Sequence, residues 1–137
     1  MDSQGATERS GVHNIMAKQK LDVIVKAIKL MEYSMTVTSN RKRYPIKYIQ
    51  LIKRIQNKSM DIYEFLLEAN RLNVVSSKKE RLELQTKVIT SCDKLSCYIE
   101  LSMNLNIIGS NIVENWQKQI DDIKYMTIAW REKDKKR

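Results

Sequence analysis

The sequence predicts an all-α protein that folds as an antiparallel, up-down-up-down four-helix bundle. Its 137 residues include only three glycines and one proline, so few positions interrupt a helix. Apolar residues recur at intervals of three and four in four separate segments, which is the period of a helix with one buried face. Because short links join these segments, consecutive helices are expected to lie side by side and antiparallel.

The predicted domain organisation is a single bundle with a tail at each end. Residues 1–18 have no sustained apolar period and are expected to form a flexible N-terminal tail. The bundle is predicted to span residues 19–133, and residues 134–137 are expected to form a basic C-terminal tail.

The first helix is predicted from about Gln19 to Thr38, where β-branched residues and Ser39 weaken the helical pattern. We expect its apolar stripe to face the core. The stripe comprises Leu21, Ile24, Val25, Ile28, Met31 and Met35.

The second helix is predicted from about Ile46 to Asn70, after a loop that ends at Pro45. This proline biases Tyr44 away from helical geometry and is itself suited to a first helical turn. The apolar stripe is expected at Ile52, Ile55, Ser59, Ile62, Leu66 and Ala69.

Two further helices follow, and each has a candidate N-terminal cap. Ser77 and Glu80 have the spacing of a capping box, and the segment from Asn111 to Glu114 offers a second cap. The third stripe is expected at Leu82, Gln85, Ile89, Cys92, Ser96, Ile99 and Met103. The fourth is expected at Val113, Trp116, Ile120, Ile123, Thr127 and Trp130. Both tryptophans share one face and are predicted to pack in the core instead of stacking on nucleic-acid bases.

The sequence lacks the parts that an enzyme would need, so we expect no catalytic residues, no cofactor and no metal. The only histidine, His13, lies in the predicted tail, and no glycine-rich phosphate loop is present. Cys92 has no histidine to activate it and is expected to be a small core residue. Asp61, Glu64 and Glu68 lack the Glu-x-x-His partner of a di-metal bundle and are expected to form a solvated face.

A cytoplasmic location is expected. The sequence contains no run of about eighteen apolar residues, which is the length needed to span a membrane. The polar N-terminal sequence also lacks the apolar region of a secretory signal. Cys92 and Cys97 are five residues apart, so a helix directs them to different faces and a disulfide between them is not expected.

The net charge of +9 is concentrated in two segments of the chain. Residues 41–58 contain seven cationic residues and no acidic one, and the last seven residues contain five cationic and two acidic ones. The remaining chain has 13 Lys and Arg against 14 Asp and Glu. A solvated face usually mixes both signs, so a run of one sign favours a polyanionic partner over an ordinary exposed helix or loop, which is the alternative interpretation.

We therefore predict a nucleic-acid-binding surface with little sequence specificity. Lys47, Arg54 and Lys58 fall on one face of the second helix, and in the bundle topology the turn before this helix and the C-terminal tail lie at opposite ends. Tyr44 and Tyr48 could stack on bases or pack on the bundle. The candidate residues are Arg41, Lys42, Arg43, Lys47, Lys53, Arg54, Lys58, Lys135, Lys136 and Arg137.

Over residues 19–131 the chain resembles the accessory variability determinant family of diversity-generating retroelements. The similar parts follow the leading amphipathic helix: the turn NRKRYP into LIKRIQNKSMDIYEFLLEANR, the helix start KKERLELQ, and VENWQKQIDDI in the last helix. The chain is also similar to the four-helix proteins encoded in 23S rRNA intervening sequences. It has NKSMDIYEFL, however, where that group has an SNIAEG-like stretch.

The resemblance implies a non-catalytic four-helix-bundle protein that forms a ring-like homopentamer. It also implies binding to the reverse transcriptase of the retroelement and to its RNA or DNA, in support of mutagenic retrohoming. The basic turn Arg41–Arg43 and the cations Lys47, Arg54 and Lys58 match the positions expected to make these contacts. The alternative is a structural or ribosome-associated oligomer of the intervening-sequence type.

Overall fold

A computed structural model describes the backbone of residues 11–137 and the side chains of residues 22–137. Within this part of the chain there are four α-helices and no strands. The helices are α1 (Gly11–Ser39), α2 (Ile49–Arg71), α3 (Lys78–Asn104) and α4 (Ser110–Lys135), and a 3₁₀ turn (Ile46–Tyr48) precedes α2. Each helix packs against its neighbour in sequence, and α1 also packs against α4, which closes the four-helix bundle. The predicted fold class is confirmed.

Two helices extend beyond their predicted ends. Helix α1 begins at Gly11 and so includes residues 11–18 of the segment predicted as a tail, whereas residues 1–10 lie outside the described residues. After Gly11 no glycine or proline occurs before the end of α1, and adding residues to an existing helix costs little free energy. Helix α4 continues through the boundary predicted after Lys133 and ends at Lys135.

The core-facing residues of α2 and α4 are largely those that the spacing predicts. All six residues of the α2 stripe are buried. In α4 the first five residues of the predicted stripe are buried, and Trp130 is half-buried against the core. These two helices have one clear apolar face each, so the periodicity identifies the side that meets the bundle.

The predicted stripe of α1 is only partly correct, because Ile24 packs against the core whereas Val25 and Ile28 lie at the surface, and the Leu21 side chain lies outside the described residues. Val25 and Ile28 are 45% and 37% exposed, while Ala27 and Leu30 are completely buried. The buried face comprises Val23, Ala27, Leu30, Ser34, Val37 and Thr38. Helix α1 therefore has apolar residues on two adjacent faces, and only one of these faces is fully enclosed by the bundle.

The predicted stripe of α3 is only partly correct. Gln85, Cys92 and Ile99 are buried, but Met103 is 37% exposed. Leu82, Ile89 and Ser96 are half-buried. The core also takes Arg81, Val88, Ser91, Leu95 and Ser102 from this helix. The buried face is therefore centred away from the predicted one, because α2 and α4 together set which side of α3 is enclosed.

The predicted caps are also corrected. Ser77 occupies the N-cap position of α3, but its side chain makes no capping hydrogen bond. Helix α4 is capped by Gly109 and not by the segment from Asn111 to Glu114. In the α2–α3 loop the Asn73 side chain instead accepts hydrogen bonds from the backbone N–H groups of Val75 and Ser76, which stabilise this turn.

The alternating helix directions create two distinct ends of the bundle. The turn end carries the α1–α2 turn and the α3–α4 loop, and the tail end carries the α2–α3 loop and the C-terminus of α4. The turn at residues 40–48 and the C-terminal residues are thus at opposite ends, as predicted. Among the described helices, none combines the length and apolar character needed to cross a bilayer.

Candidate nucleic-acid interface

The first three candidate residues lie on a compact turn that directly follows α1. The carbonyl oxygen of Asn40 accepts hydrogen bonds from the backbone N–H groups of Arg43 at 3.1 Å and Tyr44 at 2.8 Å. The Asn40 side chain also accepts one from the backbone N–H of Lys42 at 3.0 Å. These bonds fold the turn tightly, and the side chains of Arg41, Lys42 and Arg43 are all exposed to solvent.

Tyr44 anchors this turn in the core and is unable to stack on nucleic-acid bases. Its side chain is completely buried, with 0% exposure. Burial raises the pKa of the Tyr44 hydroxyl to about 12, although the neighbouring Ser102 side chain opposes part of this shift. Of the two alternatives considered for Tyr44, packing is the correct one. Tyr48 is half-buried, and Lys47 Nζ lies 5.2 Å from the centre of its ring.

Arg41 is held in place by backbone carbonyl groups instead of by carboxylates. Its guanidinium Nη1 donates hydrogen bonds to the carbonyl oxygens of Thr38 at 3.1 Å and Tyr44 at 3.4 Å. These contacts orient the side chain without neutralising its charge. Arg41 therefore has both a structural and an electrostatic role at the turn.

Lys47 in the 3₁₀ turn and the cations of α2 continue the positive surface, with one exception; Lys47 therefore lies before α2 and not on the helix face that the sequence predicts. Lys47, Lys53 and Arg54 are exposed, and no carboxylate in the described part of the chain forms an ion pair with them. Lys58 is half-buried and pairs with Asp61 at 3.1 Å. The excess positive charge on α2 therefore ends near Arg54, about one turn earlier than the sequence indicates.

We call the resulting surface the turn patch. It consists of cationic side chains that are exposed and have no ion-pair partner among the described residues. Its members are Arg41, Lys42, Arg43, Lys47, Lys53 and Arg54.

Three lysines in the middle of the bundle are, by contrast, paired with acidic groups. Lys124 Nζ lies 2.7 Å from Asp93 Oδ1, and this hydrogen bond raises the pKa of Lys124. Lys26 and Lys118 both approach Asp122, at 3.9 Å and 3.4 Å. Asp93 and Asp122 thus offset the positive charge of these three lysines, whereas the turn patch has no such carboxylates among the described residues.

The C-terminal candidates lie at the other end and are not brought to the turn patch. Lys135 Nζ is 3.4 Å from Glu132, and Arg137 Nε is 3.7 Å from Asp134. Lys136 is exposed. Because the bundle separates the two groups of candidates, the ten residues of one chain do not contact the same phosphate group.

A buried ionic network at the tail end was missed by sequence reasoning. Arg81 Nε donates to Asp134 Oδ2 at 2.7 Å, and Gln85 Nε2 donates to the same oxygen at 2.7 Å. Arg81 Nη1 also donates to the carbonyl oxygens of Ala69 and Leu72 at the end of α2. Asp134 follows Trp130 at the four-residue spacing of the α4 stripe, and this continuation was the available signal that Asp134 belongs to the core.

The remaining candidates for chemistry have structural roles. Cys92 is buried as predicted, and burial raises the pKa of its thiol to about 12, with Asp93 adding to the shift. Cys97 is exposed, so the two cysteines lie on different faces. Trp116 is buried and its ring N–H donates to Ser34 Oγ at 3.0 Å. Within the described residues there is no group of three or more side chains suited to hold a metal ion.

Comparison with known proteins adds no identification. No protein-family model, characterised protein or solved structure matches this chain.

Proposed function

We propose that this protein is a non-catalytic nucleic-acid-binding accessory subunit of a diversity-generating retroelement. In this role it binds the reverse transcriptase and the template RNA or its cDNA, and so supports mutagenic retrohoming. The observation that carries the proposal is the turn patch, where six exposed cations from a turn and the following helix have no carboxylate partner among the described residues.

Such a surface is suited to the phosphate backbone of a nucleic acid. Lys and Arg side chains that neutralise phosphates release condensed counterions, which gives affinity that falls steeply with salt concentration. Six phosphate contacts to a single strand correspond to a slope of about −4 in a plot of log affinity against log salt. The turn patch contains no known motif for recognition of base edges, so its affinity is expected to depend little on the nucleotide sequence.

The partner, the assembly state and the location are parts of the same proposal. The reverse transcriptase and the homopentamer follow from the resemblance noted for residues 19–131, and the cytoplasmic location follows from the absence of an apolar span and of a secretory signal in the sequence. The exposed apolar face of α1, which includes Val25 and Ile28, supports contact with another protein surface because such residues are usually covered in assemblies.

Charge reversal in the turn patch tests the proposal. Arg43→Glu combined with Arg54→Glu should weaken binding to single-stranded RNA by about tenfold or more and make the salt slope shallower. Both side chains are exposed and make no ion pair in the described structure, so helicity should be unchanged. Binding is measured by fluorescence anisotropy across a salt series, and helicity by circular dichroism.

The matched control is Lys29→Glu combined with Lys94→Glu. These lysines are exposed, lie in the middle of the bundle and give the same change in net charge. The control should bind RNA within about twofold of the natural protein. Equal affinity of both double variants and the natural protein would contradict the proposal.

A second candidate function is a structural bundle that self-assembles or docks another protein, as in the alternative of the intervening-sequence type. The outward apolar face of α1 favours this candidate, since Val25 and Ile28 remain 45% and 37% exposed among the described residues. A flat salt dependence of polynucleotide binding, together with persistent oligomers in sedimentation, would support it over nucleic-acid binding.

A further inference from the structure

The tail end carries a second group of cations that comes from two distant parts of the sequence. Lys78 Nζ donates a hydrogen bond to the backbone carbonyl oxygen of Lys135 at 2.9 Å, which joins the start of α3 to the end of α4. Residues 78–81 and 131–137 together contain eight cationic and three acidic side chains. We call these two segments the tail patch.

Part of this charge is neutralised inside the patch, and part faces solvent. Arg81 and Asp134 balance each other in the buried pair, and Lys135 approaches Glu132. Lys79 and Lys136 are exposed, and no ion pair is recorded for either within residues 22–137. These two lysines are the side chains most available to an anion approaching from the tail end.

The two patches are too far apart to act as one electrostatic site. From Arg54, the last residue of the turn patch, α2 runs a further 17 residues to its end at Arg71, which corresponds to about 26 Å at 1.5 Å per residue. Electrostatic screening at physiological ionic strength acts over about 8 Å. A phosphate held at one patch is therefore almost independent of the charge at the other.

The surface between the patches does not offer a continuous cationic track along α2. After Arg54 the helix carries Asp61, which pairs with Lys58, and then the exposed Glu64 and Glu68. A single nucleic-acid strand that followed α2 from one end to the other would have to pass these carboxylates, which repel phosphate. The charge distribution thus favours two separate sites over one long site.

We propose that the turn patch and the tail patch of one chain hold two separate segments of nucleic acid at the same time. The bundle then acts as a rigid spacer that bridges the segments at a distance set by the length of its helices. This inference rests on the proposed function, because it assumes that the ligand of the turn patch is a nucleic acid.

A bridging assay with the full chain tests this inference. One single-stranded RNA is fixed to beads, and a second, fluorescent RNA that is not complementary to the first is added with the protein. The natural protein should retain the fluorescent RNA on the beads. Lys79→Glu combined with Lys136→Glu should reduce this retention by about tenfold or more, while protein capture by the bead RNA falls by about threefold or less.

The Lys29→Glu and Lys94→Glu control should bridge as the natural protein does. Unchanged bridging by the tail-patch variant would overturn the inference, because two turn patches in an oligomer would then explain the retention. Bridging lost equally in the control would also overturn it. A natural protein that is captured but retains no second RNA contradicts only this inference, whereas one that is not captured at all contradicts the proposed function as well.

Discussion

Single residues at the two ends of the bundle show how burial separates structural from functional roles. Tyr44 is an aromatic residue flanked by cations in the sequence, a pattern typical of a base-stacking site, yet its side chain is completely buried. Arg81 carries a charge but is only 2% exposed. Residue type alone therefore does not distinguish an anchor from a ligand-binding group, because the distinction depends on which side of the backbone faces solvent.

The buried Tyr44 hydroxyl predicts a loss of stability at alkaline pH. Its pKa is about 12 in the folded protein against an ordinary value of 10, so folding favours the neutral form. The contribution of this pKa shift to the free energy of unfolding is fully present below pH 10 and is lost as the pH rises towards 12. At pH 11 the natural protein should have lost about 1.4 kcal/mol through this group, a loss that Tyr44→Phe avoids.

The measurement is urea unfolding of both proteins at pH 7 and pH 11. At pH 7 the two free energies of unfolding should agree within about 1 kcal/mol. Cys92 titrates in the same alkaline range, so the comparison with Tyr44→Phe isolates the tyrosine. Tyr125→Phe, at a side chain that is 63% exposed, serves as the control. An equal alkaline loss in natural protein and Tyr44→Phe would refute the assignment.

At the scale of elements, helix α1 shows the limit of periodicity. Two residues of the face expected to pack inward, Val25 and Ile28, lie at the surface instead. The inward face instead uses Ala27 and Ser34, and the latter accepts a hydrogen bond from the buried Trp116 of α4. A hydrogen-bond partner for the buried tryptophan N–H is a contribution that the spacing of residues in one helix does not reveal.

A matched pair of alanine substitutions in α1 tests which face is the core. Leu30→Ala should lower the free energy of unfolding by about 2–5 kcal/mol, because it leaves a cavity at a completely buried position. Ile28→Ala, at a position 37% exposed, should cost about 1 kcal/mol or less. Chemical denaturation at a protein concentration where the chain is monomeric provides both values. The reverse order would show that the predicted stripe faces the core after all.

At the scale of the whole molecule, one buried ion pair joins three helices at the tail end. Arg81 of α3 contacts Asp134 of α4 at 2.7 Å and donates to the last carbonyl groups of α2. The Arg81 guanidinium also lies 4.9 Å from the centre of the Trp130 ring. The network fixes the end of α4 to the start of α3, and so holds the two segments of the tail patch next to each other.

Removing one partner of the Arg81–Asp134 pair should lower the free energy of unfolding more than removing both partners. Asp134→Ala leaves the Arg81 charge buried without a counterion and should destabilise the fold by about 3–5 kcal/mol. Adding Arg81→Met to this variant should recover part of the loss, because no unpaired charge remains. Urea unfolding of the single and double variants measures the difference. A loss below about 1 kcal/mol for Asp134→Ala would indicate that Arg81 is solvated.

The sequence by itself determined the fold class, the approximate helices and the segments that hold the excess charge. These features follow from the helical period and the local composition, which α2 illustrates with all six predicted residues buried. Only the tertiary structure decided which face of α1 and α3 is enclosed, that Tyr44 is an anchor, and that Lys78 and Lys79 join the C-terminal cations. Each of these depends on contacts between residues distant in the sequence, and the period of a single helix carries no information about its neighbours.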